Sequence, residues 1–324
     1  MTAAGRATAT ACSNIALAKY WGKADAAQNL PAVPSLSLTL AGLQTRTTVT
    51  FDPTLRADEL FLNGSRAESR PLARTVALLA DIRERARLAS FARVESENDF
   101  PTAAGLASSA SGFAALALAA TRASGLDLAD SAVSAIARRA SASAARSLFG
   151  GFAVLEAGAT SAQALNVPAW PLRMLVAVVT AGTKATSSTS GMLHTQDTSP
   201  FYASWLAHAP GIYAEIRAAV LDRDFTRLGC HMEHSALSMH ASMLAAIPAL
   251  VYFQPATIAA MDCVKRLRAK GTEAYFTIDA GPNVKVLVEE ASEREALAAL
   301  RDVPGVEQVL QTRPGPGATS DNAA

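Results

Sequence analysis

The sequence predicts an α+β protein with two lobes, and three observations support this prediction. The chain has 324 residues, which is enough for two domains of ordinary size, about 100–200 residues each. Strand-like and helix-like segments occur in both halves without the regular alternation of a doubly wound sheet. The composition becomes loop-like at residues 158–171. We therefore predict an N-terminal lobe over residues 1–168 and a C-terminal lobe over residues 169–312.

Strands and helices are both predicted in the N-terminal lobe. Alternating or apolar runs, one of them followed by an Asn-Gly turn, predict strands at 45–51, 59–62, 92–96 and 150–155. Helical periodicity predicts helices at 72–88, 107–124 and 130–140.

The C-terminal lobe shows the same mixture. It begins with a strongly apolar run, and strands are predicted at 172–179, 273–278, 284–288 and 306–310. Periodic segments between them predict helices at 200–221, 224–240, 255–270 and 292–300. The last residues, 313–324, are rich in Pro, Gly, Ser and Ala, and this composition predicts a disordered tail.

Composition and charge exclude several classes of protein. Half of the residues are hydrophobic and 18% are charged, so an ordinary buried core is feasible and global disorder is not expected. The net charge is +1 without a basic run, which argues against a nucleic-acid-binding protein. No stretch is suited to crossing a bilayer, and the start of the chain lacks a signal-peptide pattern. Three scattered cysteines fit a reducing compartment. We expect a cytoplasmic protein without membrane or nucleic-acid partners.

A run of small residues at 101–110 leads directly into an alanine-rich helix. The first N–H groups of a helix lack intrahelical partners and carry partial positive charge, and small residues let a phosphate come close to them. The adjacent hydroxyls of Ser108 and Ser109 could reach a phosphate or a metal ion. The segment therefore predicts a phosphate site for ATP, although it lacks the Gly-Lys-Ser/Thr of a Walker A loop. On local sequence alone, a helix start capped by serine is the alternative.

Two further segments carry cations among small or aromatic residues. Lys19 and Lys23 flank Tyr20 and Trp21, which would suit an anionic substrate; a strand with solvated lysines is the alternative. Arg146 lies among hydroxyls in the segment 141–151, and its planar group suits a carboxylate or phosphate. A helix-to-strand junction with a surface arginine is the alternative there.

A single acid, Asp279, follows an apolar strand and precedes a Gly-Pro turn. It could be a base or a charge stabiliser in a partly desolvated site, or simply a turn-capping residue. Three histidines, His231, His234 and His240, share one helical stretch, but their spacing matches no metal-binding motif. Packing or surface roles are expected for them.

Taken in chain order, these segments resemble the diphosphomevalonate decarboxylase family of the GHMP kinase superfamily. The matching strings lie at residues 14–16 and 19–23, 98–110, 146–151 and 279–283, with weaker matches at 187–192 and 239–241. The resemblance covers about residues 8–312. It implies a GHMP kinase fold, with an N-terminal lobe like a ribosomal-protein domain, a ferredoxin-like C-terminal lobe and an active site in the cleft. Mg-ATP as co-substrate and a homodimer are also implied.

The resemblance further implies a reaction and roles for individual residues. The reaction is ATP-dependent decarboxylation of (R)-5-diphosphomevalonate to isopentenyl diphosphate, by phosphorylation of the tertiary hydroxyl and loss of phosphate and CO2. Asp279 would lie near that hydroxyl, Lys19 would keep Asp279 ionised, and Arg146 would hold the substrate carboxylate. Substrate-binding roles are implied for Tyr20, Lys23, Ser141, Ser143 and Ser188. Contacts to ATP are implied for Ala104, Gly105, Leu106, Ala107, Ser108 and Ser109, with Ser108 and Ser109 also as Mg²⁺ ligands.

The chain departs from the family pattern at the diphosphate end. Ala140 and Ala142 stand where relatives have glycine, and Val33 and Pro34 stand where relatives have polar residues. An alanine adds a methyl group and loses the freedom to adopt positive φ. A monophosphate substrate, 5-phosphomevalonate, is therefore an alternative. The chain could also be a GHMP small-molecule kinase that does not decarboxylate, or a non-catalytic nucleic-acid-binding module, which the net charge disfavours.

Overall fold

The computed structural model describes residues 5–100, 108–180 and 186–321. The strands are β1 (Arg6–Ala18), β2 (Lys23–Asp25), β3 (Leu30–Pro31), β4 (Ser35–Asp52), β5 (Glu59–Leu62), β6 (Ser65–Arg66), β7 (Phe91–Asn98), β8 (Phe152–Leu155), β9 (Gln163–Leu165), β10 (Leu172–Val178), β11 (Ala274–Ile278), β12 (Val284–Glu289), β13 (Gln308–Pro314) and β14 (Thr319–Asp321). The helices are α1 (Ser69–Ala86), α2 (Ser108–Ala123), α3 (Asp130–Ala140), α4 (Ser188–Thr198), α5 (Tyr202–Asp222), α6 (Phe225–Leu244), α7 (Pro255–Ala269) and α8 (Glu293–Arg301), with 3-10 helices at Ala142–Leu148 and Glu290–Ser292.

One sheet runs through both lobes. In the N-terminal lobe the long strand β4 pairs antiparallel with β1, β7 and β8, and β5 pairs parallel with β7. The C-terminal lobe contributes the order β11-β12-β10-β13. The lobes join where Arg313 and Pro314 of β13 pair with Ala41 and Leu40 of β4. This mixed α+β architecture of two lobes confirms the fold class predicted from the sequence.

The hydrophobic core has three main parts. Helices α1 and α2 pack on one side of the N-terminal sheet through residues such as Leu79, Ile82 and Ala114. Apolar residues of β1, β4 and β10 meet α5 and α6 in a cluster that spans the two lobes. Helices α7 and α8 cover the opposite side of the C-terminal sheet. No helix in the described ranges is both long and apolar enough for a membrane span.

Most predicted helices and strands are present. The two main elements that were missed, β1 and α4, lack a regular alternation or stripe of apolar residues over much of their length. Strand β1 is buried on both sides from residue 11 to residue 18, so this part of its sequence does not alternate between polar and apolar residues. Helix α4 is rich in Ser and Thr and has no apolar stripe; its N-cap is Ser187, whose hydroxyl accepts a hydrogen bond from Ser190 N.

The prediction of a disordered tail is wrong for residues 313–321. Strand β14 pairs with β1, with Thr8 opposite Asp321 and Thr10 opposite Thr319. Gly315 N donates to Thr39 O at 2.8 Å, and its carbonyl accepts from Gly151 N at 2.9 Å. Composition predicts disorder because glycine has no side chain to bury. Here the missing side chain lets the backbone at Gly315 lie directly against the backbone of β4. A Cβ on Gly315 would lie 2.4 Å from Ala41 N.

Replacing Gly315 by alanine is expected to destabilise the protein by about 1–3 kcal/mol, because the added methyl group must displace backbone rather than a flexible side chain. Urea unfolding of the wild type and the G315A variant measures the difference. The matched control is Gly211→Ala in α5, where an added Cβ meets nothing within 4 Å, and alanine there should stabilise by up to about 1 kcal/mol. Equal stability of G315A and the wild type would contradict the close contact.

Candidate active site

A cavity of about 460 Å³ lies between the lobes. Its described lining includes five basic side chains, Lys19, Lys23, Arg70, Arg74 and Arg146, but a single carboxylate, that of Asp279. Such an excess of positive charge in a concave, partly apolar site suits a ligand that carries several negative charges. The cavity therefore brings together the cationic segments and the acid that the sequence indicated separately.

The Asp279 carboxylate lies between two lysines. Lys19 Nζ, just beyond the end of β1, donates to Oδ1 at 2.5 Å, and Lys285 Nζ, on β12, lies 3.3 Å from Oδ2. Burial alone would raise the pKa of Asp279, but the charges and hydrogen bonds of the two lysines together outweigh it and hold the pKa well below the usual range. Asp279 is thus an ionised group.

Lys19 is almost completely buried, and its backbone is held by α6 through a 2.9 Å hydrogen bond from Lys19 N to Ser235 Oγ. Burial lowers the pKa of its ammonium group to about 8, although Asp279 acts in the opposite direction. Nearby Lys285 and Arg146 lower it further. The site therefore carries more buried positive than negative charge, which an anionic ligand would balance.

Arg146 occupies the 3-10 helix at Ala142–Leu148 and is 2% exposed. Its Nε donates to Ser37 Oγ at 2.9 Å and Nη1 donates to Ser35 Oγ at 2.6 Å, both on β4. Nη2 lies 3.4 Å from Asn14 Oδ1 on β1. Burial lowers the pKa of Arg146 to about 10, so the guanidinium stays charged at neutral pH. Two strands therefore fix the planar group at the cavity wall.

The mouth of the cavity holds three further cations. Arg70 Nη1 donates to Ser187 Oγ at 2.6 Å, and Arg74 Nε donates to Ala140 O at 2.9 Å while its guanidinium covers the Phe113 ring. Burial, followed by the charges of Arg74 and Arg70, lowers the pKa of Lys23. Sequence reasoning missed both arginines because they lie on α1, whose many basic residues are typical of a solvated face.

Comparison with known proteins gives the same assignment for both lobes. Residues 11–166 match the diphosphomevalonate decarboxylase-like N-terminal domain, and residues 174–317 match the mevalonate 5-diphosphate decarboxylase C-terminal domain. The chain belongs to the diphosphomevalonate decarboxylase family.

Relatives in this family resemble the chain over almost its whole length. The diphosphomevalonate decarboxylase of Candida albicans is 36% identical, with 96% of each chain aligned. The mevalonate diphosphate decarboxylase structure from Staphylococcus aureus has a TM-score of 0.94 at 38% identity and covers 98% of both chains. A structure of MDDEF in complex with MVAPP, AMPPCP and magnesium has a TM-score of 0.92 at 43% identity, and covers 99% of this chain and all of the other.

The structure places the implied substrate residues of the decarboxylase family around one cavity. Tyr20, Lys23, Ser141, Ser143 and Ser188 all line it, together with Lys19, Arg146 and Asp279. The Tyr20 hydroxyl is buried and has no hydrogen-bond partner among the described residues. A buried hydroxyl without a partner is costly, so it is well suited to bind a polar atom of a ligand. Burial raises the pKa of Tyr20, which therefore stays a hydrogen-bond donor.

The departures from the decarboxylase pattern cause no backbone strain. Neither Ala140 nor Ala142 adopts a positive φ, so glycine's freedom is not needed at either position. Ser141 and Ser143 are retained beside them, with their hydroxyls 3.2 Å apart. Val33 is fully buried in an apolar cluster with Trp21 and Met192. These substitutions therefore leave the hydroxyls and cations of the site in place.

The phosphate segment is described only in part. Ser108 and Ser109 open α2 at the wall of the cavity, whereas Ala104, Gly105, Leu106 and Ala107 lie outside the described residues. Beyond the serines, the lining includes the apolar side chains of Leu60, Leu62, Val94 and Leu116 and the hydroxyls of Thr45, Thr47 and Ser96. Apolar side chains with a few hydroxyls suit a nucleoside. Sequence reasoning missed these residues of β4, β5, β7 and α2 because they read as ordinary core positions.

The histidines do not form a metal site within the described residues. His240 is buried beside the Phe253 ring, with a centroid distance of 4.4 Å, and its Nε2 lies 3.4 Å from Ile278 O. Burial lowers the pKa of His240 to about 4, so this side chain is neutral at physiological pH. His240 thus packs against the end of β11, directly before Asp279.

Proposed function

We propose that this chain catalyses the ATP-dependent decarboxylation of (R)-5-diphosphomevalonate to isopentenyl diphosphate, with release of CO2, ADP and phosphate. The observation that carries the proposal is the arrangement of Asp279 between two lysines, in a cavity that also presents Arg146 and three cations at its mouth. The family membership of both lobes supports the same reaction.

The chemistry explains why these groups are needed. The substrate has a carboxylate two carbons from a tertiary alcohol and no electron sink, so the hydroxyl must first become a leaving group. Phosphoryl transfer from ATP achieves this and requires mainly positioning and neutralisation of charge. Mg²⁺, which the hydroxyls of Ser108 and Ser109 would help to hold, supplies charge neutralisation at the phosphates. Departure of the phosphate leaves cationic character at the tertiary carbon, and loss of CO2 supplies the electrons of the double bond.

Asp279 would serve this reaction through its negative charge. Because the two lysines keep Asp279 ionised, its carboxylate is available to accept the proton of the tertiary hydroxyl as the phosphoryl group is transferred. A fixed carboxylate near the tertiary carbon stabilises the positive charge that develops there. Arg146 would orient the substrate carboxylate, so that the bond to CO2 is aligned with the departing phosphate.

The diphosphate would lie at the mouth of the cavity, where the charges of Arg70 and Arg74 act on Lys23. Three cations suit a diphosphate better than a monophosphate.

Replacing Lys23 by glutamine is expected to raise KM for 5-diphosphomevalonate about 10- to 100-fold with little change in kcat, because a hydrogen bond to a charged group contributes about 1.5–3 kcal/mol. Steady-state kinetics measure the change. Lys265→Gln on the exposed face of α7 is the matched control, and an unchanged KM in K23Q would place the diphosphate elsewhere.

One assay tests the proposed function against its alternatives. The protein is incubated with Mg-ATP and carboxyl-labelled 5-diphosphomevalonate or 5-phosphomevalonate, and both ADP and CO2 are measured. The proposal expects stoichiometric ADP and CO2 from the diphosphate substrate. Faster turnover of the monophosphate would assign the chain as a 5-phosphomevalonate decarboxylase. ADP without CO2 would indicate a kinase, and no product from either substrate would overturn the enzymatic assignment.

We also propose that the protein is a homodimer in the cytoplasm. Large apolar side chains are exposed where α4, α5 and the loop before α7 meet, with Phe201 at 56%, Ile247 at 75% and Val251 at 62%. A second copy could cover this surface. The three cysteines, which all lie within the described residues, are free, as expected in a reducing compartment. Light scattering should give the mass of two chains for the wild type and of one for Ile247→Asp. A wild-type monomer would refute the dimer.

A further inference from the structure

Lys285 occupies a position where strand β12 should carry an apolar residue. Val284, Val286 and Val288 face the core under α7 and α8, and Leu287 faces the core that spans the two lobes. Lys285 shares the side of Leu287, since alternate residues of a strand lie on the same face. It is nevertheless fully buried, with 0% exposure. A buried ammonium group is costly unless it is paired, so this lysine requires a specific partner.

The contacts of Lys285 identify that partner. Its Nζ lies 3.3 Å from Asp279 Oδ2 and donates to Asn283 O at 3.2 Å. The side chain of Asn283 is itself held, because its Oδ1 accepts from Val179 N at 2.8 Å and from Thr180 N at 3.2 Å. Lys285 therefore connects a fixed point of the C-terminal sheet to the carboxylate. Lys285 is not part of the described cavity lining, so its contact with Asp279 is made from behind.

We propose that Lys285 is a positioning residue, which holds Oδ2 of Asp279 while Lys19 holds Oδ1 and so prevents the carboxylate from rotating out of its working orientation. The inference deepens the proposed function, because the orientation matters only if Asp279 faces the reacting carbon. With Lys19 alone, the carboxylate would be free to turn about its Cβ–Cγ bond. With both lysines, each oxygen has its own cation on a different segment of the fold.

The balance of buried charges allows the contact between Lys285 and Asp279 to be tested by thermal unfolding, without an activity measurement. Asp279 is surrounded by Lys19 beside β1, Lys285 from β12 and Arg146 from the 3-10 helix, with His240 of α6 neutral behind it. In the wild type, Lys285→Met removes a partner of the carboxylate and should lower the melting temperature. In an Asp279→Asn background the same substitution removes one of several unpaired buried cations and should raise it. A lysine that served only as packing would have the same effect in both backgrounds.

The experiment is a double-mutant cycle of D279N and K285M, followed by thermal unfolding without ligands and by steady-state kinetics. Opposite signs of the K285M effect in the two backgrounds are expected, and equal effects would overturn the proposal. If K285M alone did not fold, folding of the double variant would support the coupling, and failure of both would refute it.

The kinetic measurement tests positioning directly. K285M is expected to lower kcat about 100-fold with KM for both substrates within about 3-fold of the wild type, since a misplacement of about 1 Å can cost that much. A kcat within about 3-fold of the wild type would overturn the positioning role. Lys265→Met, at an exposed site on α7, is the control for the same substitution. If the wild type itself did not turn over, the proposed function would fail, whereas the unfolding cycle would still decide whether Lys285 and Asp279 are coupled.

Discussion

Asp279→Asn is expected to lower kcat for decarboxylation about 10²- to 10³-fold, while nucleotide binding persists. Asparagine has the same shape but no charge, so it cannot stabilise positive charge at the tertiary carbon, and the loss of one such electrostatic group costs about 10²–10³-fold. Binding should persist because Ser108 and Ser109 lie on α2, a different element of the cavity wall. Product formation and ADP titration measure the two properties separately.

The same substitution should also destabilise the fold. Lys19 and Lys285 would lose their common anion, and breaking a buried pair from one side costs about 3–5 kcal/mol. Asp222→Asn, at the exposed end of α5, is the control for an acid-to-amide change. Near-normal turnover in D279N would remove Asp279 from the reaction, whatever the stability.

Arg146→Lys is expected to lower kcat/KM about 10²- to 10³-fold. The guanidinium reaches Ser35, Ser37 and Asn14 through three separate nitrogens. A lysine places all of its donors on one atom and cannot span both strands or present a planar edge to a carboxylate. Initial rates at varied substrate concentration provide the measurement.

The control for this prediction is Arg139→Lys, at the exposed end of α3, which should behave as the wild type. Circular dichroism and melting curves show whether R146K retains the fold. Activity of folded R146K within a few-fold of the wild type would mean that a point charge suffices, and that Arg146 does not orient the carboxylate.

Sequence reasoning identified the candidate reacting groups but missed the residues behind them. Three of these groups, Lys19, Arg146 and Asp279, have small or aromatic neighbours that a purely structural segment would not need. The order of their segments along the chain then made the family pattern recognisable. Lys285 follows Val284 in a strand that alternates normally, so only its burial beside Asp279 shows that it is exceptional. Ser35 and Ser37 similarly read as ordinary strand residues until the structure shows that they bind the Arg146 guanidinium.

Secondary-structure prediction missed two strands for a related reason. Periodicity detects elements with one buried side, such as α3, and is insensitive to β1, which is buried on both sides. Composition is equally insensitive to β14, because the pairing of residues 319–321 depends on a distant partner strand. A short stretch of sequence carries no information about pairing with a strand that is far away in the chain, as β1 is from β14.

The pairing of β14 with β1 has a consequence for the synthesis of the protein. The chain passes through the whole C-terminal lobe before it returns to the N-terminal sheet, where β14 pairs with β1 and Gly315 binds Gly151. During translation, β14 therefore leaves the ribosome after both lobes. A nascent chain that has completed only the N-terminal lobe has neither this strand nor the backbone contact that lies five residues beyond Arg146. The N-terminal sheet therefore receives its last strand only after the C-terminal lobe has been synthesised.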